Sequence, residues 1–373
     1  MTAASENRKP YFLGLDAARG VAAMVVLTAH VPDRSLHALF PSAHLVIDLF
    51  FMLSGFVLAN AYLNRFERGM GAIDFIIVRL IRLYPLYLLG TLLGALFFAL
   101  LLIKGWLDVS WWTWGATLAA NLLFLPLPTG GAFATPVVFP FNVPAWTLFW
   151  ELASNIVFAL LVLRLRGWKL ALLIAIGLCL NAGFAFAHGN LDQGWAWSNF
   201  AGGAGRVWFS LFTGVALYRL WRDGRLPRFN VPLWFAALAP IVLIAIPATT
   251  QLRSYVDLAV ITLLLPLLVA AAAHAEPRSK HGRRFAELAG RLSYGVYILQ
   301  MPLIMFAGAA YALVFNTDLA TLGHGGTLLI AAATLAFAWL ADKFYDAPLR
   351  RRLTALHRQK AAQRAPHSSA LEA

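Results

Sequence analysis

Eleven apolar runs of near-spanning length follow one another along the chain, at residues 13–31, 43–63, 77–103, 113–125, 146–163, 169–187, 204–221, 231–248, 255–273, 291–313 and 325–345. A chain with that pattern must pair its backbone polar groups inside a bilayer, and helices do so segment by segment. The composition agrees: 60% of the 373 residues are hydrophobic and 13% charged, with a mean hydropathy of +0.70. The expectation is an all-α polytopic membrane helix bundle.

Charge placement fixes the number of crossings. The fourth run is short and leads into LPLPTGGAFATPVVFPFNVP, which is too rich in Pro and Gly for a regular helix. If that run does not cross, Arg8 and Lys9, Arg65 and Arg68, Arg164 to Lys169, Arg219 to Arg228, Arg278 to Arg291 and Lys343 to Arg358 all share one side. The positive-inside rule then holds at every loop. About ten transmembrane helices are expected, with both termini cytosolic. Residues 104–145, with Trp106, Trp111, Trp112 and Trp114, should form an outer re-entrant or interfacial segment. Residues 1–12 are then a cytosolic tail, 13–350 the membrane domain, and 351–373 a polar, disordered cytosolic tail. The net charge of +13 is spread over short loops, a topology signal and an attraction for membrane lipids rather than a nucleic-acid surface.

Within the first run, LDAARGVAAMVVLTAH carries Asp16, Arg19 and His30 on one helical face; Arg19 and His30 are eleven positions apart. Gly20 and Ala23 lie near that face and admit a close neighbour. Ionisable groups inside spans face a bundle interior, so the stripe is a candidate active site. His30 is a candidate general base or an interfacial histidine satisfied by water, Arg19 lies too deep in the run to snorkel easily to the surface, and Asp16 is an ion-pair partner for Arg19. Glu151 lies on a polar stripe with Thr147, Ser154 and Asn155 and is a candidate for orienting His30 or holding a proton, a role open to Asp48 as well. The rival reading of Glu151 is a structural ion pair with a buried arginine, and that of Asp48 is a structural role, since no second polar residue joins it on its face. Arg79 and Arg82, three apart at the cytosolic mouth of the third run, read as an ordinary positive-inside anchor or as a pair that could fork onto phosphate oxygens. Arg206 and Ser54 are candidate substrate-binding residues, Arg206 for an anionic acceptor or as a partner of Glu151. Counted from the run ends, Asp48, Glu151 and Arg206 fall within about two turns of the outer surface and Arg79 and Arg82 at the inner one, an outer acid–base cluster and an inner basic one. No metal-ligand spacing, phosphate loop or dinucleotide fingerprint is present, and Cys179 stands alone.

Taken in order, LDAARGVAAMVVLTAH, DLFFMLSGF, RLIRLYP, WTLFWE, the arginine before SLFTGVALY, SYGVYILQMP and FYDAPLRR resemble the acyltransferase-3 family nearly end to end. The resemblance implies a membrane acyltransferase that moves an acetyl or other short acyl group from cytosolic acyl-coenzyme A to a hydroxyl of an extracytoplasmic glycan or lipid-linked saccharide, in the inner membrane of a bacterium. Acyl-CoA is then a co-substrate, with no tightly bound cofactor. By position His30 and Arg19 match the family's essential pair, Arg79 and Arg82 its acyl-donor pair, and Glu151 its acidic position. The chain departs at Gln300, where the family often has histidine, and at Asp346, where it often has glutamate. The expectation is the family's stand-alone form, without a soluble esterase-like domain. A multi-pass transporter or flippase using the same buried charges as a proton or substrate path is the alternative.

Overall fold

The computed structural model describes residues 11–31, 38–128, 133 and 136–364. Among these residues there is no strand, only an isolated bridge between Val137 and Ala196. The helices are α1 (Leu13–His30), α2 (Val46–Glu67), α3 (Ala72–Ile103), α4 (Trp111–Leu122), α5 (Ala145–Leu161), α6 (Trp168–His188), α7 (Gly202–Arg222), α8 (Leu233–Ile244), α9 (Arg253–Ala272), α10 (Lys280–Phe315), α11 (Gly323–Ala341) and α12 (Ala347–Arg364). Seven, α1, α2, α3, α6, α9, α10 and α11, are long and apolar enough to cross a membrane. Helices α5 and α8 are shorter and apolar, and α7 has the length but carries Arg206, Arg219 and Arg222. These ten alternate between a basic end, where α1 begins, and a His30 end, where it finishes. The outward faces carry Leu96, Leu100, Leu160, Leu172, Leu263, Leu267 and Leu328 exposed, as a lipid-facing belt requires.

Close helix crossings position the site. Gly20 of α1 lies on Ala289 of α10, so the small residues of the first run do admit a neighbour. A Cβ on Gly55 of α2 would overlap the Leu211 carbonyl of α7, and one on Gly214 of α7 would overlap the Met52 carbonyl of α2. These two helices touch backbone to backbone, which only glycine at both points allows.

Helix α4 does not cross. Its 12 residues reach about 18 Å, and they run back along α3. Trp114 Nε1 donates to the Ala95 carbonyl at 3.1 Å. Tyr84 Oη donates to the Leu122 carbonyl at 3.0 Å, and Tyr87 Oη to that of Asn121. Since Tyr84 and Tyr87 lie nearer the middle of α3 than Ala95 does, α4 dips from the His30 end into the bundle, the re-entrant form expected. The following chain stays inside: Phe139 and Phe141 are fully buried, and Asn142 is 1% exposed. So α5 starts deep, and depths counted from a surface start are wrong there.

The C-terminal expectation also needs correction. A π turn at Asp342–Asp346 joins α11 to α12, which continues as helix to Arg364. Its residues are good helix formers, and Arg350 pairs with Asp346 one turn back, Nε to Oδ2 2.8 Å. Residues 365–373, the rest of the expected disordered tail, lie outside the described part, as do residues 1–10.

Candidate active site

A cavity of about 590 Å³ opens at the basic end between α1, α2, α3, α5, α10 and α12. Along α2 its lining runs from Tyr62 to Ile47, fifteen residues or about 22 Å of helix, making a shaft rather than a bowl. Five arginines line it, Arg19, Arg79, Arg82, Arg291 and Arg350, against three acids, Asp16, Glu151 and Glu287. The lining is therefore cationic, and its far tip is apolar and aromatic.

Each charge has a distinct commitment. Arg19 Nη2 lies 2.6 Å from Asp16 Oδ1 and donates to the Gly290 carbonyl at 3.0 Å, so α1 is pinned to α10, with Asp16 its ion-pair partner as read from the spacing. Glu151 Oε1 accepts from Arg79 Nη2 at 2.7 Å and from Ser54 Oγ at 2.7 Å, tying three helices through one oxygen. Arg291 and Arg350 reach Asp342 and Asp346 behind the wall. Arg82 differs: no hydrogen bond or ion pair holds it among the described residues, and Arg19, Arg79 and Arg350 surround it with only Asp346 to offset them. An uncommitted guanidinium among other guanidiniums is an anion-binding arrangement. At the rim, outside the spans, burial and then the Asp16 carboxylate push the Tyr11 phenol up to about 12, so it faces the mouth as a neutral hydroxyl.

The shaft thus gathers Arg19, Ser54, Arg79, Arg82 and Glu151. It does not gather His30, which sits eleven residues past Arg19, about 16 Å along α1, with its side chain at the helix end and Nδ1 2.7 Å from the Val26 carbonyl oxygen. Nor does it gather Asp48 and Arg206. These form a fully buried pair, Arg206 Nη2 to Asp48 Oδ2 2.7 Å, closed by Ser210 Oγ on Asp48 Oδ1 and by the Gln193 and His44 carbonyls on Arg206. The expected outer cluster therefore divides. Glu151 is spoken for by Arg79 and Ser54 and not by Arg206, and Asp48 by Arg206; the structure favours the ion-pair reading of both carboxylates over the orientation of His30. The physical reason is the deep start of α5, which lowers Glu151 to the level of Arg79.

Two groups escaped the sequence reading. Arg291 and Arg350 enter the sequence reading only among the loop charges that set topology, although Arg350 stands one turn after Asp346. At the His30 end, Asp257 accepts from His44 Nε2 at 2.9 Å, Leu191 N at 3.0 Å and Arg253 Nε at 2.8 Å. Only the spacing of Arg253 and Asp257, one turn apart in an apolar helix, could have signalled that cluster. Gln300 is fully buried with neither amide atom bonded among the described residues.

The family profile described as an acyltransferase domain, Acyl_transf_3, matches residues 12–343. The chain belongs to the acyltransferase-3 family. It is accordingly an enzyme, a membrane acyltransferase, and the transporter reading is set aside. It is also similar to "Protein 2 in picA locus" of Rhizobium radiobacter, with 36% identity over 169 residues, covering 42% of this chain and 84% of that one. No solved structure matches. The family match takes in every helix that lines the shaft except α12, so the cavity belongs to the shared domain, with Arg350 added from beyond the matched segment.

Proposed function

We propose that the shaft is the acyl-donor channel and that the enzyme moves an acetyl or other short acyl group from acyl-CoA to a hydroxyl of a glycan or lipid-linked saccharide. The observation that carries this reading is the shaft itself: about 22 Å long, arginine-rich at its mouth, apolar at its tip. The extended arm of coenzyme A is on the order of 20 Å long, and would cross much of a hydrocarbon core of about 30 Å. Phosphates meet Arg82, flanked by Arg19 and Arg350. The uncharged arm passes Ser54 and Tyr294, and the thioester stands near Thr147. Arg79, bound to Glu151, shapes the channel rather than taking a phosphate.

The acceptor approaches from the other end. Its hydroxyl oxygen attacks the thioester carbonyl carbon, His30 takes the hydroxyl proton, the C–S bond breaks, and the coenzyme A thiolate leaves by the shaft. The basic loops share the mouth's end, and the positive-inside rule supports reading that end as cytosolic; an inner-membrane protein of a bacterium with both termini in the cytosol is part of the proposal. The His30 end is then extracytoplasmic. The test is competition binding of acetyl-CoA to purified protein in detergent. Wild type should bind saturably, and Arg82→Ala should weaken binding about tenfold or more, as expected for losing one charged contact to phosphate. Absence of binding to wild type overturns the donor assignment.

A further inference from the structure

The far tip of the shaft ends on Ile47, Phe50, Phe51, Thr147, Leu148 and Tyr297. Tyr297 is held rigidly there. Thr147 Oγ1 donates its single proton to the Pro144 carbonyl at 2.8 Å, so its 3.1 Å contact with Tyr297 Oη is one in which the tyrosine donates. The phenol is thus locked to α5. Phe50 meets the Tyr297 ring edge to face, with centroids 5.4 Å apart and planes at 78°. Phe50 also packs on two apolar clusters at once: the main core, and a second one containing Ala23 and Leu27 on the half of α1 that leads to His30 and Val31 just past its end. The two rings therefore stand between the end of the donor shaft and the His30 end of the bundle.

We propose that Phe50 and Tyr297 form an aperture that sets the length of acyl chain the enzyme transfers, admitting two- or three-carbon groups and refusing long ones. This rests on the donor reading of the shaft. Polar atoms do not set the limit, since Tyr297 and Thr147 satisfy each other. The limit is steric, imposed by one ring fixed by its hydrogen bond and a second wedged between two packed clusters. Such packed walls resist a longer chain because neither ring can rotate away without opening a void.

The test measures free thiol released from acetyl-, butyryl- and octanoyl-CoA by protein in liposomes, alongside competition of each against labelled coenzyme A. Wild type should favour acetyl over octanoyl by about tenfold or more in kcat/KM, and Phe50→Ala should shift that ratio toward octanoyl by a similar factor. Tyr297→Phe keeps the ring and should keep a short-chain preference. If Phe50→Ala does not fold, Phe50→Leu is read in the same way with a smaller shift. A merely structural Phe50 would lower turnover of all three thioesters equally, and an unchanged ratio overturns the aperture. Equal use of acetyl and octanoyl by wild type overturns it too. Either result with labelled coenzyme A still bound leaves the donor reading standing, whereas failure of coenzyme A to bind at all removes both.

Discussion

At the residue scale, the site is decided by which guanidinium is already taken. Arg79 and Arg82 share a helical face, and nothing in their spacing separates them. Glu151, 72 positions further on, claims Arg79 and leaves Arg82 facing three other arginines. The spacing made a cationic face legible, but only packing between α3 and α5 shows which of the two arginines is engaged by a carboxylate. The same holds for Asp48 and Arg206. Each was visible as a buried charge, and their pairing across 158 positions was not. Because both are fully buried, removing one partner leaves an uncompensated charge, a loss of about 3–5 kcal/mol. Asp48→Ala should therefore lower the thermal midpoint sharply and reduce the folded yield in detergent, read by size exclusion and thermal melting. Arg82→Ala should leave both near wild type. A stable, well-folded Asp48→Ala protein would contradict the structural assignment of that pair.

At the element scale, the re-entrant helix was readable because its length and the loop charges forbade a crossing. The deep start of α5 was not readable, since it depends on Phe141 being buried under α3 and α4 with its carbonyl against Gly94, a tertiary fact. The error it caused, placing Glu151 at the outer surface, follows directly. The C-terminal helix was misjudged for the opposite reason: polarity suggested a tail, while the local propensity of an Ala, Leu, Arg and Gln run and its Asp346–Arg350 pair favoured helix. The backbone contact of α2 with α7 offers a sharp test. Gly55→Val would force a side chain into the Leu211 carbonyl, and overpacking of this kind costs about 1–3 kcal/mol. A lowered thermal midpoint is expected, together with loss of donor binding, because α2 carries Ser54 and the shaft wall from Ile47 to Tyr62. Gly105→Val, at a position with open space but a positive φ of 68° in a loop far from the shaft, should leave donor binding intact. Equal binding by the two variants would contradict the α2–α7 crossing as a support of the shaft.

At the scale of the whole molecule, two ends of one bundle divide the labour. In the proposed division, arginines at one end hold the donor, His30 at the other takes the acceptor proton, and the shaft with its aromatic tip connects them. The most direct measurement is thiol release from acetyl-CoA, over a range of concentrations, by wild type, Arg82→Ala and His30→Ala in liposomes. Arg82→Ala should raise KM about tenfold with kcat largely kept, and His30→Ala should keep KM while losing about a hundredfold or more in kcat, the scale of a missing general base. If His30→Ala turns over like wild type, or if both variants change only KM, donor binding and proton removal are not divided between the two ends and the account fails.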